Sequence, residues 1–499
     1  MSGSDRVYSP GRPERTGRVA GLSAPQALVC VLVGMVPVIV FGSGAHRAGL
    51  ELGLAAVVIV AAVVVPIRGR PAGRWAVDSL AHGWGLVSGW SSWQSKVAAG
   101  LPVGDPDEPD LPGVLSRLDW HDGPPFPEHG RPCVVHDTAA GRWAVTAELS
   151  ARGIGLASPL ERRSLARGLG RMLGGLVDSE RLDRVSLLVR SVPDDGTAYE
   201  SWLSRHQVPD PPELVTAVTD DLRRMAGSAS VRQEAFVTVS ARADALRKSA
   251  RAAGGGEAGY SRTLYRGMAA LTEPLQAMGC DPPAWLSRAG LAAAVRTGFN
   301  PGAARLLTQS QLTGEPGLPA AAAGPTRAPS PGARSYAHDG YLTVSYCVIP
   351  PKEGVTVGSL APLLTTTTAG ERRSLAIHYE VLGSAAAARI ARHERQAATL
   401  VSELKTSKGF GSAAKDRQDR GSTYRVEDAV AAGEGMVRYA IVVAVTVPCD
   451  WNIEDHAETL ETAAAGQYRL LRLELAQDSG FIASTLPLGM ALPATRSVL

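Results

Sequence analysis

Two uninterrupted apolar runs stand near the start of the chain. Residues 26–42 read QALVCVLVGMVPVIVFG and residues 48–67 read AGLELGLAAVVIVAAVVVPI. A bilayer core takes about 20 helical residues, so the second run is long enough to cross, with Glu51 near one end where it reaches the headgroups. The first run is slightly short and holds Pro37, a kink that membranes tolerate. A cleaved signal peptide ending near GSGAH, or two buried helices of a soluble protein, are the competing readings. Two such runs so closely spaced predict a transmembrane helical hairpin instead. Arg6, Arg12, Arg15 and Arg18 precede the pair, and Arg68, Arg70 and Arg74 follow it, whereas the connection holds only His46 and Arg47. Positive charge stays inside, so both termini are expected in the cytoplasm.

After the hairpin the pattern changes twice. Residues 73–94 carry Trp75, Trp84, Trp90 and Trp93, an aromatic concentration expected at a membrane interface, with packing into a soluble domain as the alternative. GDPDEPDLPG (104–113) reads as an acidic linker, since it lacks the turn glycine and final glutamate of a calcium loop. From residue 131 the periodicities of strands and helices take over. A strand hairpin is predicted within 131–149, a helix opened by Ser158-Pro159 over 158–179, a strand at 184–192, a helix at 211–227 and a strand at 233–242. Helices are predicted at 261–279 and 284–297. A second series follows, with strands at 341–350, 374–382 and 438–447 and helices at 384–405, 426–435 and 455–476.

The fold class is therefore α+β: a helical hairpin followed by two split-βαβ, ferredoxin-like units. The expected boundaries are a basic tail (1–24), the hairpin (25–67), a Trp-rich interfacial segment with an acidic linker (68–112), a first unit (113–298), a Pro/Gly/Ala-rich linker (299–337) and a second unit (338–499).

Charge is nearly balanced, 51 Lys and Arg against 48 Asp and Glu, which removes the global basic signature of a nucleic-acid binder. The five cysteines are far apart and form no C-x-x-C, so free thiols are expected. No Walker phosphate loop, H-E-x-x-H or G-x-S-x-G is present. GGGEAG (254–259) matches a dinucleotide fingerprint in letters only, because the residues before it read as helix; it is expected to be an interhelical turn. The connector 405–425 is basic but interspersed with acids, so it is read as a solvated loop, with contact to nucleic acid or anionic lipid as the alternative. The ten histidines show no facing pair in the sequence. No catalytic, cofactor or metal residue is assigned, and an enzyme is not expected, a membrane-anchored hydrolase standing as an alternative.

Four stretches carry a resemblance: RAAGGGEAG (251–259), LAAAVRTGFNPGA (291–303), SLAPLLTTTTAGERRSLAIHYEVL (359–382) and QDSGFIASTLPLG (477–489). In their order and spacing the chain resembles the "SCO6880 family" of actinobacterial membrane proteins found in conjugation-type, type IV-like secretion clusters. The resemblance implies a PrgI-like two-span subunit fused to the non-catalytic N-terminal domain of a conjugative ATPase, with the motor on a separate chain. It implies an inner-membrane scaffold that docks that ATPase, other secretion subunits, membrane lipids and further copies of itself. Phe299, Pro301, Phe481, Leu486 and Pro487 are then expected at the docking face. A rival resemblance is to the EccE component of type VII secretion, which also has two N-terminal spans and a cytoplasmic α+β domain.

Overall fold

A computed structural model of the chain describes residues 24–383, 389 and 436–490, apart from 65, 68–69, 90, 103, 152, 154–156, 180–181, 194–195, 207, 209–210, 227–230, 314–315, 352–353 and 367. The expected helices at 384–405 and 426–435, the basic connector, the basic tail and Trp90 lie outside the described residues. The chain divides into two compact units at about Gly89–Trp90.

The N-terminal unit holds α1 (Ala24–Gly42), α2 (His46–Val64) and α3 (Ala72–Ser88). Among them α2 is long and apolar enough to cross a membrane, and Val29–Gly42 within α1 is a shorter apolar helix. A Cβ at Gly49 would lie 2.9 Å from Phe41 Cα, so the missing side chain is what lets α1 and α2 approach there. Val38, Leu50, Leu54 and Val57 are exposed on this pair. On α3, Val77, Leu80, Trp84 and Val87 recur at helical spacing and are all exposed, Trp84 at 71%, whereas Trp75 is partly buried.

The larger unit is built on an antiparallel sheet. Its strands are β1 (Leu118–Asp122), β2 (Cys133–Asp137), β3 (Arg142–Leu149), β4 (Arg184–Pro193), β5 (Val231–Arg242), β6 (Tyr336–His338), β7 (Tyr341–Ile349), β8 (Arg372–Leu382), β9 (Met436–Pro448) and β10 (Arg469–Arg472). They run in the order β6-β7-β9-β8-β4-β5-β3-β2-β1, with β10 beside β7 and the short strand Ala284–Trp285 beside β3. In each half a later strand inserts between two earlier ones, β5 between β3 and β4 and β9 between β7 and β8. The halves meet where β4 and β8 pair, from Arg184↔Glu380 to Ser191↔Arg373.

Alternation along the central strands separates two faces. One face is apolar. Val185, Val237, Val239 and Val145 form a core with α4 (Pro159–Ser179) and α8 (Gly256–Ala277), and Val344, Val443 and Val445 form another with α12 (Ile453–Ala464). The other face places Ser186, Arg190, Thr238, Thr343, Ser345, Arg372, Ser374, His378 and Thr446 in the interior, all buried. Over that face lie α9 (Arg288–Phe299) and α13 (Gln477–Thr485), with Phe299, Phe481, Ile482 and Leu486 in one core cluster.

Local chemistry explains several element ends. Ser158 N–H donates to Glu161 Oε2 (2.6 Å) and Glu161 N–H to Ser158 Oγ (3.3 Å), a reciprocal cap that starts α4. GGGEAG does form the turn between α7 (Ala243–Ala252) and α8: Gly254, Gly255 and Gly256 all have positive φ, which only glycine adopts without strain.

Four expectations about the course of the chain are corrected by the fold. The two α+β units are not separate, because the β4–β8 ladder makes one sheet of them. Residues 299–337 are not a free linker. They contain α10 (Ala304–Thr313) and β6, and bury Ala320, Ala323, Ala328, Tyr336 and His338. Their alanine and glycine content serves close packing, with Gly324 set directly against the Asp110 carbonyl. Likewise Trp93, expected at the membrane interface, pairs through its backbone with Ala328 and packs, partly buried, against the larger unit's core. Finally, the helix expected over 455–476 ends near Ala464. Gly466 takes a positive φ there, and the chain re-enters the sheet as β10.

Candidate functional site

The residues expected to dock a partner are drawn together, but inward. Phe299, Phe481, Leu486 and Pro487 are buried, and Pro301 is partly buried. The Phe299 and Phe481 rings lie 5.0 Å apart, with His338 4.3 Å and Tyr336 5.3 Å from Phe481. These side chains hold the C-terminal segment to the sheet; a partner on this face meets what covers them.

That segment is fixed largely by hydrogen bonds to the polar sheet face. The Gln477 side chain fills the gap between β6 and β10 along the edge of β7. It accepts from Ser345 N–H (2.8 Å) and donates to Ser345 O (3.3 Å), as a neighbouring strand would. His378 Nε2 donates to Ala483 O (2.9 Å), which leaves Nδ1 to accept from the Ser186 hydroxyl (2.8 Å). The Pro487 carbonyl lies within hydrogen-bond distance of Thr146 Oγ1 (2.7 Å) and Thr238 Oγ1 (3.2 Å).

The carboxyl end of α9 is met by cations and a histidine from the sheet. Arg372 donates to Thr297 O and Gly298 O, each at 2.6 Å. Arg190 Nη1 donates to Ala294 O (2.9 Å) and Thr485 O (3.4 Å), while its Nη2 pairs with Glu234 Oε2 (2.7 Å). His338 Nδ1 donates to Phe299 O (2.5 Å). Helix carboxyl ends carry unsatisfied carbonyls and partial negative charge, so this is the end where buried guanidiniums are tolerated. Gly298 lacks a side chain where Leu486 presses against it, which lets the C-terminal segment lie on α9.

From Arg372 the bonds continue in one direction. Arg372 Nη2 donates to Thr446 Oγ1 (3.4 Å), which is 2.8 Å from Thr343 Oγ1, itself 2.8 Å from His338 Nε2. With Nδ1 donating to Phe299, Nε2 is the acceptor, which orders both hydroxyls. Burial and the Arg190 charge push Arg372 down to about 9, still charged at neutral pH. Burial works against the Glu234 carboxylate, but the Arg190 and Arg232 charges outweigh it and hold its pKa below the usual value. His338 is pushed down to about 3 by burial and the Arg372 charge, and His378 to about 4 chiefly by burial, so both are neutral.

On the apolar face of the sheet a second buried ion pair occurs. Glu371 accepts from Arg373 Nε (2.5 Å) and is paired with His456 Nδ1 (2.8 Å). Its members are engaged with one another.

The histidines are not all isolated, contrary to the sequence expectation. On β1, Asp119 and His121 share one face, and on β2 His136 stands opposite Asp119. Their ligand-type atoms lie within 4.8 Å of one another. His136 stacks on Trp143 (centroids 4.1 Å apart), which stacks on Tyr260 (4.8 Å). Glu257, in the first turn of α8, is 3.2 Å from His121 Nδ1. Burial lowers the His136 pKa, outweighing the Asp119 charge that raises it. The signal available beforehand was Asp-x-His, which puts both side chains on one strand face. It stays hidden unless 118–122 is recognised as a strand.

Comparison with protein-family models gives no match, and comparison with the curated proteins gives none.

Two predictions follow from the buried junction. Arg372→Ala leaves the Thr297 and Gly298 carbonyls without their donors and should destabilise the larger unit by about 2–5 kcal/mol, read from the urea midpoint of the full chain in detergent; Arg372→Lys should recover part of it. An unchanged midpoint for Arg372→Ala would contradict the role given to Arg372. The second concerns pH. Because His338 and His378 stay neutral in the fold while an unfolded histidine takes a proton near its ordinary value, the unfolded chain binds more protons in acid. Stability is therefore full above about pH 6.5 and falls as pH drops towards 4, by up to about 1.4 kcal/mol per pH unit for each histidine. His378→Gln should make that slope shallower, and urea midpoints between pH 7 and 5 check it.

Proposed function

We propose that the chain is an inner-membrane scaffold of a conjugation-type, type IV-like secretion apparatus, and that it docks a separate secretion ATPase. The observation that carries the membrane part is the exposed apolar surface of the N-terminal unit: in the most apolar stretch of α2, only 11% of residues are buried within the protein. In this reading α1 and α2 both cross the bilayer, and the arginines flanking them hold both termini in the cytoplasm. The exposed row Val77, Leu80, Trp84 and Val87 on α3 lies at the headgroup boundary. The larger unit is then cytoplasmic, and its two halves are the ferredoxin-like units of the family resemblance.

The docking part is supported by α6 (Glu213–Ala226). Leu214, Val215, Val218 and Leu222 form an exposed apolar stripe on it, opposite Glu213, Asp220 and Arg224. An uncovered amphipathic helix is a common seat for a partner groove. Phe481 and Leu486 act indirectly in this account, by keeping the platform folded.

The test is affinity capture of the tagged full chain from gently solubilised membranes of its own cells, with mass spectrometry of the recovered proteins. Enrichment of a conjugation-type ATPase is expected. Val218→Asp with Leu222→Asp should cut its recovery about tenfold, a loss of about 1.4 kcal/mol, with membrane recovery of the chain unchanged. Enrichment of type VII translocon subunits instead would replace this reading with the EccE-like one, and recovery of no secretion subunit would overturn both.

A further inference from the structure

The geometry points to a divalent transition-metal site of the zinc type, formed by Asp119, His121 and His136 at the outer edge of the sheet. This inference is independent of the secretion reading. Three features carry it, and each is a consequence of strand geometry or packing.

The first is convergence. Residues two apart on a strand project to one face, so β1 presents Asp119 and His121 together, and the antiparallel register sets His136 directly across from Asp119. The result is one ligand-type atom from each side chain, all within 4.8 Å of one another. Two imidazoles and a carboxylate suit zinc and its first-row neighbours, whereas calcium and magnesium take oxygen ligands.

The second is that both rings are held by other groups. His136 lies in a stack with Trp143 and Tyr260, at interplanar angles of 11° and 9° along the stack. Trp143 is buried in the core below, so this ring has a fixed support. Glu257 Oε2 lies 3.2 Å from His121 Nδ1, which sets a carboxylate beside the ring as in the carboxylate–histidine pairs that orient ligands at bound metals.

The third is that ligand capacity is free. Among the described residues, the Asp119 carboxylate and the His136 ring make no hydrogen bond to another side chain or to the backbone. Asp119 is exposed, and both histidines are partly buried, so an ion has a route in. Three protein ligands leave a tetrahedral ion one open position, for solvent or an incoming carboxylate. An ion here would tie β1 and β2 together at the end of the sheet.

The test uses the full chain in detergent, stripped with EDTA and titrated with Zn2+ by calorimetry. A single equivalent is expected to bind, and His121→Ala and His136→Ala should each weaken it at least about tenfold with unchanged far-UV circular dichroism. Zn2+ binding equal in wild type and in both folded variants would overturn the site, as would no binding by the wild type. A second measurement needs no variant. Carbethoxylation of His121 and His136, mapped by mass spectrometry, should slow about tenfold with Zn2+ relative to exposed His206, in line with occupancy of the ring nitrogens. Equal slowing at His206, or none at His121 and His136, would contradict the assignment.

Discussion

The carboxyl end of α9 ends inside the protein, and much of the larger unit is arranged around satisfying it. A helix terminus leaves carbonyls without partners, and burying them without donors costs about 1–3 kcal/mol each. Here Arg190 and Arg372 come from the two strands that join the halves, and His338 comes from the sheet edge. Their donors reach Ala294, Thr297, Gly298 and Phe299, and Arg190 also reaches Thr485 at the end of α13. The same contacts that cap one helix therefore join the first half, the second half and the C-terminal segment. Removing any one of these side chains leaves buried carbonyls at the α9 end without a donor, and removing Arg190 also frees Thr485 O of the C-terminal segment.

This arrangement gives the C-terminal segment a role that its composition conceals. QDSGFIASTLPLG has the look of a chain leaving a domain, yet Phe481, Leu486 and Pro487 are buried in it. Small residues are what make this possible: Gly298 and Gly480 stand where any Cβ would collide with Leu486 or Ser345. The segment is the cover of the polar sheet face, and the platform proposed to carry a partner depends on it. Exposed apolar surface is found elsewhere, on α6 in the larger unit and along α1 to α3 in the N-terminal one.

Much of the secondary structure was legible from periodicity. The strands at 184–193, 231–242, 341–349, 372–382 and 436–448 and the helices at 159–179 and 213–226 fall within a few residues of where alternation and capping place them. Topology was harder to read. Strand patterns show which residues share a face, but not that β4 (ending at Pro193) would pair with β8 (starting at Arg372) so far along the chain. The Ser, Thr, Arg and His positions on those strands read as a solvated face by alternation alone, and it takes α9 and α13 lying over them to make that face interior. The linker reading of 299–337 failed for a related reason, since alanine and glycine serve flexible chain and tight contact equally. The facing histidines were missed because β1 is five residues long with two aspartates, too polar to register as a strand. Trp75 and Trp84 lie on α3 in the N-terminal unit, whereas Trp93 packs against the larger unit's core.

Both halves and the C-terminal segment form one cooperative body around the α9 terminus. Native-state hydrogen exchange of the full chain tests it most directly. The amides of β4, β8, α9 and α13 should exchange with a common opening free energy, close to that of global unfolding of the larger unit. If α13 and β7 to β9 open together at a markedly lower free energy while β3, β4 and β5 stay protected, the halves are independent and the account is wrong.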